Sequence, residues 1–153
     1  MTPRRDISLT TEELQLLLSE PLNAALTTLD RDGWPHPTAM WFIPGEDSVR
    51  MWTYAKSQKA VNLRRDPRCA LLVERGSLYP ELRGVLIRGA ASLLEDRDEV
   101  RAIGVGLHER YVEPSMGLPA QGAILEEIER QAAKRLGILV PFERVASWDH
   151  RKL

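Results

Sequence analysis

Leu14, Leu17 and Leu18 recur at helical spacing behind Thr10-Thr11-Glu12-Glu13. In such a capping box the threonine hydroxyl and the glutamate three residues later each satisfy a free backbone N–H. The pattern predicts a helix that Pro21 ends. From residue 23 the period shortens to two, and residues 23–30, 35–43 and 48–54 read as strands. Asp30-Arg31-Asp32-Gly33 and Pro44-Gly45-Glu46-Asp47 supply turns between them, so the three runs are expected to form an antiparallel meander. A short helix over 57–65 follows, with Ala60, Val61 and Leu63 on one side, and ends before Asp66-Pro67.

Residues 69–75 read as a strand. A loop over 76–81 leads into a long strand over 82–94, where Gly84 and Gly89 imply bulges or a close backbone approach. Val100, Ile103, Leu107 and Tyr111 give residues 96–112 an apolar helical face. After a loop over 114–119, a helix over 120–135 places Glu126, Glu127 and Glu129 early and Lys134 and Arg135 late, as the helix dipole favours. Strands over 136–140 and 145–148 flank the turn at 141–144. Strands mostly follow strands, so the pattern predicts one mainly β domain over residues 1–153 with peripheral helices, as in a small antiparallel barrel, and not a doubly wound sheet.

The 153 residues are 43% hydrophobic and 28% charged, in the range of a folded globular chain. A net charge of −1 provides no field for nucleic acid or anionic lipid, so neither is an expected partner. No apolar run reaches the roughly 18–20 residues of a membrane span. The first eight residues hold two arginines but no apolar stretch, and no secretory signal is expected. The single cysteine, Cys69, sits in an apolar run and reads as a buried thiol in a cytoplasmic protein. The skew to 17 arginines over 4 lysines reflects GC-rich coding more than chemistry.

His36, His108 and His150 are scattered, and no metal-ligand spacing, nucleophile elbow or dinucleotide fingerprint occurs. No catalytic residue is assigned and no metal is expected. The segment that carries chemistry is Thr53-Tyr54-Ala55-Lys56-Ser57-Gln58-Lys59-Ala60. Ser57 is a natural N-cap, and Lys56 and Lys59 place half of the lysines at one helix N-terminus. Each such cation opposes the dipole by a few tenths to about 1 kcal/mol. A bound phosphate reverses that sign. A plain capped helix with solvated lysines is the other reading of the same residues.

Several segments, in order, resemble the pyridoxamine 5′-phosphate oxidase-like superfamily. They are Leu29-Asp30-Arg31-Asp32-Gly33, Pro37-Thr38-Ala39-Met40-Trp41-Phe42, the block from Ser57 through Asn62 and Asp66-Pro67 to Arg68, the stretch from Leu82 to Gly89, and the run from Pro141 to Trp148. Within that superfamily the chain is most similar to the flavin/deazaflavin oxidoreductases that use coenzyme F420. The resemblance implies a six-stranded antiparallel split β-barrel, with F420 as cofactor, FMN as the alternative and a small molecule as substrate. It assigns Ser57 and Lys59, helped by Lys56, to the cofactor phosphate. Met40, Trp41 and Phe42 then lie along the ring, and Thr53 and Tyr54 on the strand leading to the phosphate. Trp148 is implied to reach a cofactor from the other subunit of a homodimer, core packing being its other reading. Arg83 and Arg88 are implied to face the same groove, and Tyr54, His36 and solvent are the candidate proton donors. The ending, Asp149-His150-Arg151-Lys152-Leu153, echoes only in part the segment with which the vitamin B6 oxidases of the family hold substrate phosphate.

Overall fold

The computed structural model describes residues 6–153; residues 1–5, part of the stretch assessed for a secretory signal, lie outside the described residues. The capping box forms as expected. Thr10 Oγ1 accepts from Glu13 N at 3.2 Å and Glu13 Oε2 from Thr10 N at 2.8 Å, which starts α1 (Thr11–Ser19) and buries Leu17 and Leu18. Strand β1 (Ala24–Leu29) turns at Asp30, whose Oδ1 accepts from Asp32 N at 2.9 Å and Trp34 N at 2.8 Å. Gly33 supplies the left-handed residue that this turn needs, with φ 84°. The chain returns as β2 (Pro35–Met40), paired with β1 from Ala24↔Met40 to Leu29↔Pro35.

Two of the expected long strands are each broken across two sheets. Residues 35–43 leave β2 at Trp41-Phe42 and re-pair as β3 (Ile43–Pro44) with β4 (Ser48–Tyr54), so β4 joins a different sheet and there is no three-stranded meander. Residues 82–94 likewise divide into β6 (Arg83–Ala90) and β7 (Ser92–Leu94), with Ala91 between them donating to Pro67 O at 2.7 Å. Together with β5 (Arg68–Arg75), β8 (Arg135–Pro141) and β9 (Arg144–Asp149), the described residues form two antiparallel sheets. Their orders are β2-β1-β5-β6-β9 and β3-β4-β8-β7, nine strands where six were expected. Gly84 and Gly89 are points of close approach, not bulges. A Cβ on Gly84 would lie 2.5 Å from the Trp148 ring, and one on Gly89 2.4 Å from the Pro141 carbonyl oxygen.

Leu26, Met51, Leu71, Ile87 and Ile138 are fully buried in the core, with Leu17 and Leu18 of α1 and Ala60 and Leu63 of α2 (Gln58–Arg65) in the same cluster. The buried thiol of Cys69 is pushed up to about 11 by desolvation, which makes it an inert packing group. Helices α3 (Arg97–Leu107) and α5 (Ala123–Ala132) pack against the sheet that holds β4 and β8. Between them the chain makes a π-helical turn over His108–Val112 and a short helix α4 (Glu113–Met116), where a loop was expected from residue 114. Helix α5 stops at Ala132. Lys134 lies in the following turn and Arg135 opens β8, so neither complements the dipole as the sequence pattern implied.

The sheet β2-β1-β5-β6-β9 keeps an outward face that includes Pro37, Ala39, Leu72, Leu86, Ala146 and Trp148. Pro37, Ala39, Leu72 and Ala146 are exposed there. None of the described helices is long and apolar enough to cross a membrane.

Candidate functional site

Strand β4 alternates Val49, Met51 and Thr53 toward the interior with Arg50, Trp52 and Tyr54 on the opposite side. Its end therefore delivers Thr53 to the start of α2 while Trp52 and Tyr54 stay outside the core. Ser57 caps α2, its Oγ accepting from Ala60 N at 3.3 Å. Thr53 donates its hydroxyl to Ser57 Oγ, and Lys59 Nζ donates to Thr53 Oγ1, each at 3.2 Å. Two of the expected phosphate residues, Ser57 and Lys59, thus form one connected cluster with Thr53 of the strand that leads to them. Lys56 stands exposed beside it, and the first turn of the helix contains no acid. Desolvation, and then the charge of Arg135, hold the Lys59 ammonium below the ordinary lysine value. Helix α2 is pinned under this cluster by Asn62, fully buried, whose Nδ2 donates to Thr28 Oγ1 at 3.0 Å.

Trp52, next to Thr53 on β4, and Arg135, opposite Tyr54, border a cleft of about 540 Å3, a size suited to a small-molecule ligand. Its walls are Asn23, Ala39, Met40 and Trp41 on one side and Trp52, Leu107 and Arg135 on the other. Trp41 is 46% exposed and stacked flat on Tyr111, with ring centroids 4.7 Å apart and planes 2° from parallel. This pair offers a rigid apolar face. The Tyr111 hydroxyl donates to Leu22 O at 2.7 Å and accepts from Phe42 N at 3.2 Å, which satisfies backbone left unpaired where the chain crosses between sheets. The π-helical turn that carries Tyr111 is a form often found at functional sites. Arg110 in the same turn donates to Leu18 O and Glu20 O, closing the end of α1.

The structure separates the remaining expected residues. Met40 and Trp41 line the cleft, but the Phe42 ring is fully buried with the Arg110 guanidinium 4.9 Å from its centroid. The Phe42 side chain therefore cannot meet a ligand in the cleft, because at the crossing it is needed to fill the core. Arg83 is paired with Glu20 at 3.3 Å, and Glu20 also takes Arg75, so Arg83 does not face the cleft. Arg88 is exposed on β6, opposite Arg144, and is not among the residues that line the cleft. Trp148 sits on β9, at the edge of its sheet opposite to β2, with its ring against Gly84 and away from this chain's cleft. His150 bonds Tyr79 O at 2.8 Å and Arg151 pairs with Asp149, so both tail residues have local partners. Among the described residues no group of three His, Cys, Asp or Glu is placed to hold a metal.

Arg135 and Tyr111 were not identified as site residues from the sequence. Arg135 reads as a helix-end cation until the early stop of α5 turns it into a strand residue opposite Tyr54. Its guanidinium carbon lies 4.6 Å from the Trp52 ring centroid and 4.0 Å from that of Tyr54.

Two antiparallel sheets, an aromatic-walled cleft and a capped helix N-terminus that bears lysine are the features of a fold suited to a flat, phosphorylated small molecule. The chain belongs to the pyridoxamine 5′-phosphate oxidase family, whose profile matches residues 10–149. It is 35% identical over 115 residues to the F420H(2)-dependent biliverdin reductase of Mycobacterium tuberculosis (strain CDC 1551 / Oshkosh), covering 74% of this chain and 80% of that protein. A crystal structure of a conserved hypothetical protein from Mycobacterium tuberculosis is similar over 99% of this chain and 92% of that one, with a TM-score of 0.87 and 37% identity. A solved F420 reductase matches with a TM-score of 0.67 and 26% identity, covering 86% of this chain and 94% of that one.

Proposed function

We propose that this chain is an oxidoreductase that uses coenzyme F420, transferring hydride from the reduced cofactor to an activated C=C or C=N bond of a small molecule. The observation that carries the reading is that β4 carries Trp52 in the wall of the cleft and, at the next position, Thr53 of the Thr53–Ser57–Lys59 cluster, while Trp41 of the same cleft stacks on Tyr111. A ring in the cleft and a phosphate at the cluster hold an elongated cofactor at both ends. The relatives named for F420 chemistry support the choice of cofactor. FMN shares the tricyclic ring and the phosphate and is the alternative. The cofactor, when bound, supplies the hydride. The chain's own residues orient it: Trp41 and Met40 flank the ring, Trp52 and Leu107 line the facing wall, and the lysine cluster fixes its depth. Tyr54 and solvent are the proton sources in this reading. His36 lies on β2, paired with Thr28, at the strand end away from Met40.

The test mixes the protein, reduced F420 and a panel of quinones, enones, tetrapyrroles and nitroaromatics, and follows the return of oxidised-cofactor absorbance. Turnover with at least one acceptor is expected. Turnover with FMN alone transfers the assignment to the flavin, and no turnover with either leaves a non-catalytic cofactor carrier.

The same reading includes a single split-barrel domain, a cytoplasmic setting and a homodimer. The exposed face made by Pro37, Ala39, Leu72 and Ala146 supports a second copy as its cover, which also gives Trp148 a route to the partner's cofactor. Light scattering at micromolar concentration should give twice the monomer mass, and Leu72→Arg should halve it. A monomer that still binds cofactor removes both the dimer and the role of Trp148 in the partner's site.

A further inference from the structure

Arg135 is a cation with no ion-pair partner among the described residues, and Lys59 has none there either. The Arg135 Nε is buried and bonds nothing, a condition that is costly unless something offsets it. The side chain is nevertheless held in place. β-Sheet register sets it directly opposite Tyr54, and the Tyr54 and Trp52 rings lie 4.0 and 4.6 Å from its guanidinium carbon. Stacking occupies the flat faces of a guanidinium and leaves its N–H edge available for an oxyanion. Arg135 is one of the residues that line the cleft.

We infer that Arg135 is the second half of the phosphate grip: with Lys59 it receives the phosphate of the bound cofactor, and it makes the site select phosphorylated over phosphate-free forms of the same ring. The inference rests on the cofactor reading given above. Burial first, and then the charge of Arg135, lower the proton affinity of Lys59, so the two cations repel one another. A phosphate placed between them removes that repulsion, supplies an acceptor to the N–H edge and is fixed by two donor groups of different geometry. Arginine is the better partner here because its planar donors are already oriented by the two rings, so little side-chain freedom is lost on binding.

The test measures affinities of the full-length protein for coenzyme F420 and for the phosphate-free riboside of its ring, and for FMN against riboflavin, by quenching of ligand fluorescence. Parent, Lys59→Ala, Arg135→Gln and Arg135→Lys are compared, and thermal melting establishes that each is folded. Arg135→Gln should weaken the phosphorylated ligands at least tenfold and the phosphate-free ones less than twofold, and Arg135→Lys should recover part of the loss. Equal losses on both ligand types would mean that Arg135 only supports Trp52 and Tyr54, and would overturn the inference. No loss on either overturns it as well. If Arg135→Gln does not fold, Arg135→Lys carries the test: selective weakening of the phosphorylated ligands supports the grip, and unchanged selectivity overturns it. Selectivity lost in Lys59→Ala but kept in both Arg135 variants rejects Arg135 while preserving the cofactor reading. A parent protein that binds neither F420 nor FMN rejects both.

Discussion

Lys59→Ala is expected to weaken cofactor binding by about 1.5–3 kcal/mol, some tenfold to 150-fold, as loss of a charge-assisted contact to phosphate does. The substitution removes the ammonium and also the donor to Thr53 Oγ1. It leaves the fold of α2 in place, because the cap depends on Ser57 and the anchor on Asn62. Lys59 is half-buried, so its charge is less screened than that of exposed Lys56, and Lys56→Ala should cost well under 1 kcal/mol. The dependence on pH has a definite sign. Burial and Arg135 lower the proton affinity of Lys59, so its charge is lost on the alkaline side sooner than that of an ordinary lysine. An anion binds the protonated form, so affinity should fall as pH rises through that range, and the fall should be absent in Lys59→Ala. Titration of cofactor fluorescence across pH checks both parts. A variant within twofold of the parent at neutral pH would show that the helix N-terminus is only capped and its lysines only solvated.

The elements closed by local chemistry were legible in the sequence. The capping box of α1, the Asp30 turn with Gly33 and the Ser57 cap all appear where their short patterns place them. The sheet assignments were not, because periodicity says that a run is extended but not which neighbour it pairs with. The apolar run from Ala39 to Ile43 continues without a break in sequence while its hydrogen bonds change sheets at Trp41-Phe42, and a single buried ring at that crossing fills the core. The candidate site divides along the same line. Lys59, Ser57 and Thr53 lie within seven residues of one another, so their gathering could be read directly from spacing. Arg135 meets Tyr54 only through the β4–β8 register, and Tyr111 meets Trp41 across 70 positions of chain. Nothing in the local pattern of either residue distinguishes it from an ordinary helix-end cation or an apolar-face aromatic.

Gly104→Ala and Gly106→Ala are expected to have opposite consequences although they lie in one helix two residues apart. Alanine in a helix interior is favoured over glycine by about 1 kcal/mol, and that gain is common to both positions. What the new methyl group meets differs. At Gly106 it would lie 2.7 Å from Ile43 Cδ1, the end of a side chain that can rotate, so the variant should be as stable as the parent or slightly more stable. At Gly104 it would lie 2.5 Å from Cζ3 and 2.6 Å from Cη2 of Trp52, and 2.9 Å from Ile128 Cγ2. The Trp52 ring cannot retreat freely, because the Arg135 guanidinium rests 4.6 Å from its centroid on the cleft side. Overpacking of this kind costs about 1–3 kcal/mol, and three contacts below 3.0 Å put this site in the upper half of that range, so after the propensity gain Gly104→Ala should lose about 1–2 kcal/mol net. For a chain of this size that is a fall of roughly 2–8 °C in Tm. It should also weaken cofactor binding, because the ring that moves carries Arg135 with it, whereas Gly106→Ala should leave binding unchanged. Paired thermal melts and cofactor titrations decide the matter: equal melting temperatures for the two variants would mean that Trp52 has room to shift, and that α3 does not hold this wall of the cleft in place.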